Sequence, residues 1–281
     1  MPNINHTKVT FNIIGAGHVG QVLARLLVER AGWQIQDVCN RSLESSAAAI
    51  DFIGSGRALA HLADLRPAQV TLLTVSDDQI LPCCEQLSQG VSIDNGILLH
   101  CSGALASTIM QAARQRHCLL ASVHPIRSFA DPTQALAQFE GTFCGIEGDA
   151  AALAGLQAAL SAIGARSVLI DATAKTLYHA AAVFACNYLN PLIDIALRTW
   201  QAAGVTPEQA RELAQPLAQQ TLDNIFRLGP AQALSGPIAR GDWATVARQQ
   251  AALAAWDPAV GQLYQVLAEH TAELAKRKMK P

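Results

Sequence analysis

The sequence predicts an α/β fold, in which a doubly wound, mostly parallel Rossmann sheet over residues 1–170 precedes an all-α domain over residues 171–281. Up to residue 170, short apolar runs alternate with amphipathic helical patterns, which is typical of parallel βα units. Beyond that point the strand pattern stops and only helical patterns remain. A chain of 281 residues also has the length of two domains of ~150 residues each.

The individual elements follow from the period of the apolar residues. Candidate strands are short apolar runs between polar or turn residues, at 9–14, 34–39, 70–75, 97–101, 119–123, 141–146 and 167–170. Helical spacing predicts helices at 19–30 and 151–163 within the first domain. The second domain is predicted to form helices, separated by glycine or proline, at 172–203, 207–228, 243–255 and 259–278.

Composition excludes one class of partner and favours a subunit interface. The 20 basic and 22 acidic residues give a net charge of −2, so we expect no broad basic face for nucleic acid. Charged residues make up 15% of the chain, whereas ~25% is usual in soluble domains. Because such charge-poor helices would otherwise expose sizeable apolar patches, we expect a homodimer formed through the helical domain.

The sequence favours a soluble, cytoplasmic protein with no metal site and no membrane span. Residues 1–10 lack the basic and apolar regions of a signal peptide. The apolar segment 176–193 contains polar residues such as His179 and Asn187, so we expect a buried helix of a soluble protein. The seven cysteines form no CxxC motif and no zinc-spaced cluster, which indicates reduced core residues.

A GxGxxG motif between the first strand and the first helix predicts a dinucleotide site. Its first glycine permits a tight turn, its second lets the backbone approach a pyrophosphate, and its third lets the helix pack closely on the strand. The helix N-terminus adds unpaired N–H groups and a positive dipole end. The alternative is a tight turn without a ligand. The predicted cofactor contacts are Gly15, Ala16, Gly17, His18, Val19 and Gly20.

The end of the second strand favours NADP(H) over NAD(H). An NAD site places Asp or Glu ~20 residues beyond the glycines to bind the ribose hydroxyls. This chain has Asn40, Arg41 and Ser42 there. No carboxylate would repel a 2′-phosphate, and Arg41 is suited to pair with it bidentately. Asp37 lies nearer and would reverse this preference if the strand ended earlier.

Loops that follow strands are candidates for the rest of the site, because ligands of open α/β sheets bind outside the carboxyl ends of the strands. Val75 and Ser76 are predicted to lie beside the cofactor, and Ser102 near the substrate. His124 is predicted to polarise the substrate or donate a proton, and Arg127 to anchor a substrate carboxylate. The alternatives are a histidine bonded to a backbone carbonyl and an arginine on the surface.

The long helix after residue 171 adds further polar groups. Lys175 and His179 are four residues apart and are predicted to form a second acid/base pair, with Asn187 as an orienting residue. These groups either line the cleft between the domains or bond to neighbouring helices. Pro191 removes the amide that would bond the Asn187 carbonyl, so we expect the helix to open locally. Arg240 is predicted to close over phosphate or substrate.

Several segments together resemble a family of Rossmann-like proteins that carry the C-terminal domain of unknown function 2520. They are residues 15–20 (GAGHVG), 40–42 (NRS), 100–105 (HCSGAL), 122–129 (SVHPIRSF), 175–187 (KTLYHAAAVFACN) and 235–242 (SGPIARGD). The resemblance covers nearly the whole chain. It implies an NADP-dependent oxidoreductase related to pyrroline-5-carboxylate reductases, 3-hydroxyacid dehydrogenases and deazaflavin-linked NADP oxidoreductases, and it implies no particular substrate.

One departure from those relatives bears on the reaction. The hydroxyacid dehydrogenases carry a lysine and an asparagine one turn apart in the corresponding helix, whereas here His179 follows Lys175. The expected function is NADP(H)-dependent hydride transfer to or from a small carbonyl, imine or hydroxy acid in the interdomain cleft. The alternative is a dimeric, non-catalytic sensor or regulatory protein that binds NADP(H).

Overall fold

The computed structural model describes residues 8–90 and 92–278. The chain divides into two compact units, Met1–Cys186 and Asn187–Pro281. The last strand ends at Leu169, next to the predicted boundary at residue 170, whereas the compact units divide after Cys186; the predicted domain bounds stay a prediction. Residues 1–7, which belong to the segment behind the localisation prediction, lie outside the described residues.

The first unit is built on an eight-stranded sheet with the order β3-β2-β1-β4-β5-β6-β7-β8. All neighbouring strands are parallel except β6 and β7, which are antiparallel. The predicted mostly parallel, doubly wound sheet is therefore confirmed. The strands are β1 (Thr10–Ile14), β2 (Gln34–Cys39), β3 (Arg57–Leu59), β4 (Val70–Leu73), β5 (Ile97–His100), β6 (Leu119–Pro125), β7 (Phe143–Gly148) and β8 (Arg166–Leu169).

Helices cover both faces of this sheet. Apolar side chains of the first helix pack with strand residues such as Phe11 and Ile146, and a second cluster around Leu73 and Leu120 covers the opposite face. The helices of this unit are α1 (His18–Glu29), α2 (Leu43–Ile53), α3 (Asp77–Gln89), α4 (Pro132–Ala137), α5 (Ala150–Ala162) and α6 (Lys175–Ala182). Shorter 3₁₀ turns include Leu62–Asp64, Ser107–Arg116 and Ala172–Ala174.

The second unit is helical, as predicted. Thr206 caps α8 by accepting a hydrogen bond from the amide of Gln209, and Pro207 is the first helical residue, which are typical helix-start signals. The helices of this unit are α7 (Leu189–Ala202), α8 (Pro207–Leu228), α9 (Pro230–Ala233), α10 (Trp243–Trp256) and α11 (Pro258–Lys278).

The helix predicted at 172–203 is present but is not uniform. A π-helical turn, Val183–Asn187, separates α6 from α7. Pro191 has no amide to bond the Asn187 carbonyl, and the side-chain amide of Asn190 donates to that carbonyl at 3.4 Å instead. The predicted local opening is confirmed, and a side chain takes over the freed acceptor.

The prediction that segment 176–193 is buried is wrong within the described chain. Its large side chains are exposed, with Leu177 at 77% and Phe184 at 70% of full exposure. The helical run Ala172–Ala202 is long and apolar enough to cross a membrane, judged by length and composition alone. Apolar periodicity predicted the helix correctly, but it does not specify which surface covers the helix.

The cysteines are free thiols, and four of the seven are buried. Burial raises the pKa of Cys144 to about 12, which keeps this thiol protonated and unreactive. Cys186 departs from the predicted pattern, because it is exposed. Within residues 8–90 and 92–278, no group of three His, Cys, Asp or Glu side chains is placed to hold a metal ion.

One buried carboxylate connects strand β2 with two arginines near the edge of the sheet. Asp37 on β2 is fully buried and accepts hydrogen bonds from the guanidinium groups of Arg57, at 2.9 and 3.2 Å, and of Arg66, at 2.7 and 3.0 Å. Burial by itself raises the pKa of this carboxyl, but the hydrogen bonds from Arg66 and Arg57 outweigh it and hold the pKa below its ordinary value of 3.8. Asp37 therefore remains ionised at neutral pH.

We expect Asp37→Asn to lower the free energy of unfolding by about 1–3 kcal/mol, because charge-assisted hydrogen bonds to two arginines are lost. Because the folded protein holds the pKa of Asp37 below its ordinary value of 3.8, this stabilisation is fully present above pH 3.8. It is lost as the pH falls through the pKa that Asp37 has in the folded protein. The urea concentration at the midpoint of unfolding should therefore be lower for Asp37→Asn than for the wild type at neutral pH, and this difference should become smaller in acid. The control is Asp51→Asn, at an exposed position of α2. An equal loss of unfolding free energy in both variants would contradict this account.

Candidate active site

The GxGxxG turn has the geometry that its glycines predicted. Gly15 adopts a φ of +80°, and a Cβ there would lie 2.5 Å from the Cγ1 of Val75. At Gly20 a Cβ would overlap the hydroxyl of Thr74 and approach the Cδ1 of Ile13 to 3.0 Å. The first glycine therefore makes the turn, and the third allows α1 to pack against β1 and the residues that follow β4.

The middle of this turn is open. The nearest heavy atom to a Cβ built on Gly17 would be the Gly15 carbonyl oxygen at 3.9 Å, and Gly17 is exposed. Gly17 is also the N-cap of α1 and makes no side-chain capping hydrogen bond. The first turn of α1, which begins with His18 and Val19, thus presents backbone N–H groups and a positive dipole end to an anion.

Among the predicted cofactor residues, Asn40 bonds the glycine turn and Ser42 caps the helix that follows. The side chain of Asn40 accepts a hydrogen bond from the amide of Ala16 at 2.7 Å and donates to the carbonyl of Ser45 at 2.8 Å. Ser42 caps α2, and its hydroxyl accepts from the Ser45 amide at 3.2 Å. The amide of Ala16 and the side chain of Asn40 therefore hold the end of β2 against the glycine turn.

Arg41 is placed differently from its neighbours. Its side chain is exposed, and the described residues provide it with no hydrogen bond or ion pair. The competing residue Asp37 is buried and paired with two arginines. Asp37 is therefore unavailable to a ribose, and Arg41 is the exposed charged group at the end of β2.

His18 joins the glycine turn to the loop after β6. Its Nδ1 lies 2.7 Å from the carbonyl oxygen of Phe129, so this nitrogen carries the proton and donates. The ring is exposed at the start of α1. This contact holds the loop after β6 beside the first turn of α1.

The segment after β4 lies between the glycine turn and the loop after β5. Val75 faces Gly15, and Ser76 is the N-cap of α3. A carboxylate oxygen of Asp77, in the first turn of α3, accepts a hydrogen bond from the Ser102 hydroxyl at 2.9 Å. The predicted cofactor and substrate loops are therefore connected through Asp77.

The Ser102 side chain organises its own loop. Its hydroxyl donates to Asp77 and accepts from the amides of Ala104 and Leu105 at 3.2 and 3.0 Å. Ser102 is 7% exposed. Its carbonyl oxygen accepts from the Lys175 ammonium at 2.9 Å. The structure thus assigns Ser102 contacts inside the protein; its role as a substrate ligand stays a prediction.

Lys175 is a buried cation that joins three strands to α6. Its ammonium donates to the Ser122 hydroxyl as well as to the Ser102 carbonyl, and lies 3.7 Å from a carboxylate oxygen of Glu147. Glu147 also accepts from the amide and the hydroxyl of Ser107 at 2.7 and 2.8 Å. Burial lowers the pKa of Lys175, and Glu147 opposes that effect.

Three side chains form a cluster at the end of β6. The His124 ring contacts the Tyr178 and His179 rings in edge-to-face geometry, with centroid distances of 5.7 and 5.5 Å. The Tyr178 hydroxyl lies 3.0 Å from Nδ1 of His124. The structure therefore brings two predicted catalytic residues together and adds a tyrosine that the sequence analysis did not predict.

Two glycines make room for this cluster. A Cβ on Gly103 would overlap the ring of His179 and lie 2.8 Å from Nε2 of His124. A Cβ on Gly145 would overlap the hydroxyl of Tyr178. Each glycine is thus needed for close approach of an aromatic or imidazole ring.

Burial keeps two members of the cluster, His124 and Tyr178, uncharged. Burial lowers the pKa of His124 to about 4; the neighbouring His179 and Lys175 act in the same direction, and Asp77 opposes them. Burial also raises the pKa of the Tyr178 hydroxyl to about 12. At neutral pH, His124 is therefore an imidazole and Tyr178 a phenol.

Three further predicted site residues are Arg127, Asn187 and Arg240. The guanidinium of Arg127 donates to the carbonyl and the side-chain oxygen of Gln138, at 2.5 and 3.0 Å. Arg127 is partly buried rather than on the surface, so the alternative of a surface arginine is wrong, and its role as a substrate anchor stays a prediction. Asn187 and Arg240 are exposed residues of the second unit.

Sequence reasoning missed Tyr178, Glu147 and the two glycines of the cluster. Gly145 carried a usable signal, because a glycine inside a strand often marks the close approach of another group. Glu147 is an acidic residue on a buried strand, which indicates a buried ion pair. No local pattern connects Tyr178 with His124, since their contact spans 54 residues of sequence.

Two family models match the chain, a Rossmann-like domain over residues 1–125 and the domain of unknown function DUF2520 over residues 142–271. The chain therefore consists of a Rossmann-like domain followed by a DUF2520 domain. This confirms the resemblance found in the sequence. The DUF2520 match begins before β7, so the last two strands of the sheet and the residues Glu147, Lys175 and Tyr178 lie within it. No curated protein matches the chain in sequence.

Solved structures of nicotinamide-dependent proteins share this fold. A candidate NADP oxidoreductase from Bacteroides fragilis is 23% identical, with a TM-score of 0.78 over 95% of this chain and 98% of that chain. An imine reductase variant from Myxococcus stipitatus, in complex with NAD+, is 19% identical with a TM-score of 0.61, over 98% of this chain and 100% of that chain. A Plasmodium falciparum pyrroline carboxylate reductase with NADP bound is 10% identical with a TM-score of 0.60, over 95% and 98%.

We expect Gly20→Ala to lower the free energy of unfolding by about 1–3 kcal/mol, because the added methyl group overlaps Thr74 and crowds Ile13. The matched control is Gly155→Ala in α5, where a Cβ meets no atom within 4 Å. Alanine is the better helix former, so the control should be neutral or stabilising by up to ~1 kcal/mol. Urea unfolding of both variants checks this, and equal stabilities would contradict the tight packing.

Proposed function

We propose that this protein is an NADP(H)-dependent oxidoreductase that transfers a hydride between the nicotinamide and a small carbonyl, imine or hydroxy-acid substrate. The observation that carries this proposal is the placement of an open GxGxxG turn and a half-buried His124–Tyr178–His179 cluster at the carboxyl ends of strands in one sheet. Ligands of such sheets bind at that edge. The fold similarity to nicotinamide-dependent reductases supports the same class of reaction.

The residues present fit a dinucleotide. The open face at Gly17 and the uncapped first turn of α1 are suited to a pyrophosphate. The bound nicotinamide would supply the hydride at its C4 atom. The exposed Arg41 supports a preference for NADP(H), because a free guanidinium is suited to the 2′-phosphate and buried Asp37 cannot bind the ribose hydroxyls.

The cluster at the end of β6 is suited to orient and polarise a substrate. His124 is neutral at physiological pH, so it acts as a hydrogen-bond partner rather than as a cation. His179 lies against the same face of Gly103 and supplies a second titratable group. Lys175, which we had predicted to be part of an acid/base pair, is only 2% exposed and bonded to Ser102 and Ser122. Its proposed role is therefore to position the loop after β5.

We also propose that a second copy of the chain covers part of the helical unit. Large apolar side chains of this unit are exposed, including Leu189, Leu192 and Ile193 at 37%, Leu217 at 56% and Phe226 at 85%. Exposed apolar surface of this kind favours a protein interface. The molar mass in solution, measured by light scattering, tests this; a monomer at all concentrations would contradict it.

We expect Arg41→Ala to reduce the affinity for NADPH by ~10- to 100-fold, because charge-assisted hydrogen bonds worth about 1.5–3 kcal/mol are lost. The affinity for NADH should stay unchanged, since it has no 2′-phosphate. Isothermal titration calorimetry with both nucleotides measures the ratio of the NADPH affinity to the NADH affinity. A ratio equal to that of the wild type would remove Arg41 from the cofactor site.

We expect His124→Ala to slow turnover by ~100-fold or more, the usual contribution of a positioned acid–base or polarising group, with unchanged NADPH affinity. The assay follows the absorbance of the reduced nicotinamide with a panel of small aldehydes, ketones, keto acids and cyclic imines. The matched control is His270→Ala, at an exposed position of α11. Turnover at the wild-type rate in the His124 variant would exclude this residue from the mechanism.

The same panel separates the proposed enzyme from a nucleotide sensor. An enzyme consumes NADPH with at least one compound of the panel. Tight NADPH binding with no consumption in any case, together with nucleotide-dependent partner binding, would favour the sensor. Absence of NADPH binding would contradict both.

A further inference from the structure

We propose that Tyr178 is a positioning residue that holds His124 in the tautomer protonated at Nε2, so that the site accepts a carbonyl substrate through a hydrogen bond donated to its oxygen. This inference rests on the proposed function for its substrate, but the state of the histidine is independent of it.

The backbone builds a niche for the Tyr178 hydroxyl. His124 on β6 and Gly145 on β7 are directly paired across the antiparallel part of the sheet. The hydroxyl of Tyr178, carried by α6, occupies the volume that a side chain at Gly145 would fill. From there it lies 3.0 Å from Nδ1 of His124, with the two rings at 87°.

The direction of this hydrogen bond follows from the groups around it. Tyr178 has one hydroxyl proton to donate, and Nδ1 of His124 is the acceptor that the described residues offer it. The reverse arrangement would leave this half-buried O–H without a protein acceptor, which is unfavourable. Nδ1 therefore accepts, and the imidazole proton of a neutral His124 resides on Nε2.

The charged and titratable groups that face His124 keep its ring neutral. His179 and Lys175 come from α6, and Asp77 comes from the start of α3. Lys175 is a buried ammonium and His179 contacts the ring edge, and both disfavour a positive charge on His124. The carboxylate of Asp77 favours that charge but is bonded to Ser102. A neutral ring has one donor, and Tyr178 determines which nitrogen carries it.

The position of the donor selects the substrate. Nε2 of His124 lies 2.8 Å from the place of a Cβ on Gly103, which the His179 ring overlaps, so Nε2 faces the loop after β5 beside His179. A donor at this point pairs with a lone pair, such as that of an aldehyde or ketone oxygen. A protonated imine presents its own N–H and would be opposed by it. The site is therefore built for a carbonyl group rather than for an iminium ion.

The decisive measurement is the nitrogen NMR spectrum of His124 in protein labelled with ¹⁵N-histidine, without cofactor or substrate. The His124 signals are assigned with His124→Gln. We expect a pyrrole-like Nε2 and a pyridine-like Nδ1 at neutral pH. Tyr178→Phe should convert them to the averaged pattern of mixed tautomers. An Nδ1–H or imidazolium pattern in the wild type, or an unchanged pattern in Tyr178→Phe, would overturn the proposal.

Two further variants keep the test specific. Gly145→Ala displaces the Tyr178 hydroxyl while retaining the tyrosine and should give the same averaged pattern. Tyr264→Phe removes a hydroxyl that bonds Gln249 at 2.7 Å in the second unit and should leave His124 unchanged. Urea unfolding of each variant confirms that it is folded. A change in Tyr264→Phe equal to that in Tyr178→Phe would contradict the local mechanism.

Kinetics then test the substrate class. We expect the wild type to reduce carbonyl compounds in preference to cyclic imines, and Tyr178→Phe to lose at least ~10-fold in kcat with the KM for NADPH unchanged. Preferential reduction of imines would overturn the assignment of substrate. If no compound is reduced but the NMR pattern is as expected, the proposed function fails while the role of Tyr178 stands.

Discussion

The buried ammonium of Lys175 is the interaction on which the arrangement of this site depends. It bonds the Ser102 carbonyl and the Ser122 hydroxyl and faces the carboxylate of Glu147. A buried charge without such partners would cost several kcal/mol, so the loop after β5, strands β6 and β7 and the start of α6 must meet at this point. Since Ser102 and Ser122 lie in the Rossmann-like part and Lys175 and Glu147 in the DUF2520 part, the same contact joins the two.

This requirement also determines the chemistry that the neighbouring rings can perform. Apolar residues of similar volume would stabilise a core at least as well as a buried ion pair, so the value of Lys175 lies in geometry and charge. It fixes the loop that carries Gly103, and that glycine lets His124 and His179 approach each other. Burial lowers the pKa of His124, and His179 and the buried Lys175 ammonium act in the same direction, so the ring remains neutral. A neutral imidazole is a directional hydrogen-bond partner, and its direction depends on Tyr178.

Local patterns were sufficient for most of the fold and for the cofactor turn. The GxGxxG motif is recognisable from its spacing and from the strand and helix on either side of it, although the atoms that Gly15 and Gly20 approach belong mainly to Val75 and Thr74 after β4. Strand β3 escaped prediction because its three residues, beginning with Arg57, carry no apolar alternation. The functional interpretation of Arg127 was less secure for a different reason. An arginine that follows a strand is a candidate substrate ligand, but here the guanidinium donates hydrogen bonds to the carbonyl and side-chain oxygens of Gln138.

By itself, the sequence determined the α/β class, the order of most strands and helices, the glycine turn and the exposed arginine at the end of β2, because these depend on periodicity and on neighbours close along the chain. Tertiary structure decided which polar groups meet. Asp37, a possible ribose ligand by sequence, is a buried partner of two arginines, and the catalytic candidate Lys175 is buried and bonded to Ser102 and Ser122. Such contacts join residues that are far apart in sequence. Burial determines whether these residues are charged and whether a ligand can reach them, and it arises only when the sheet is assembled.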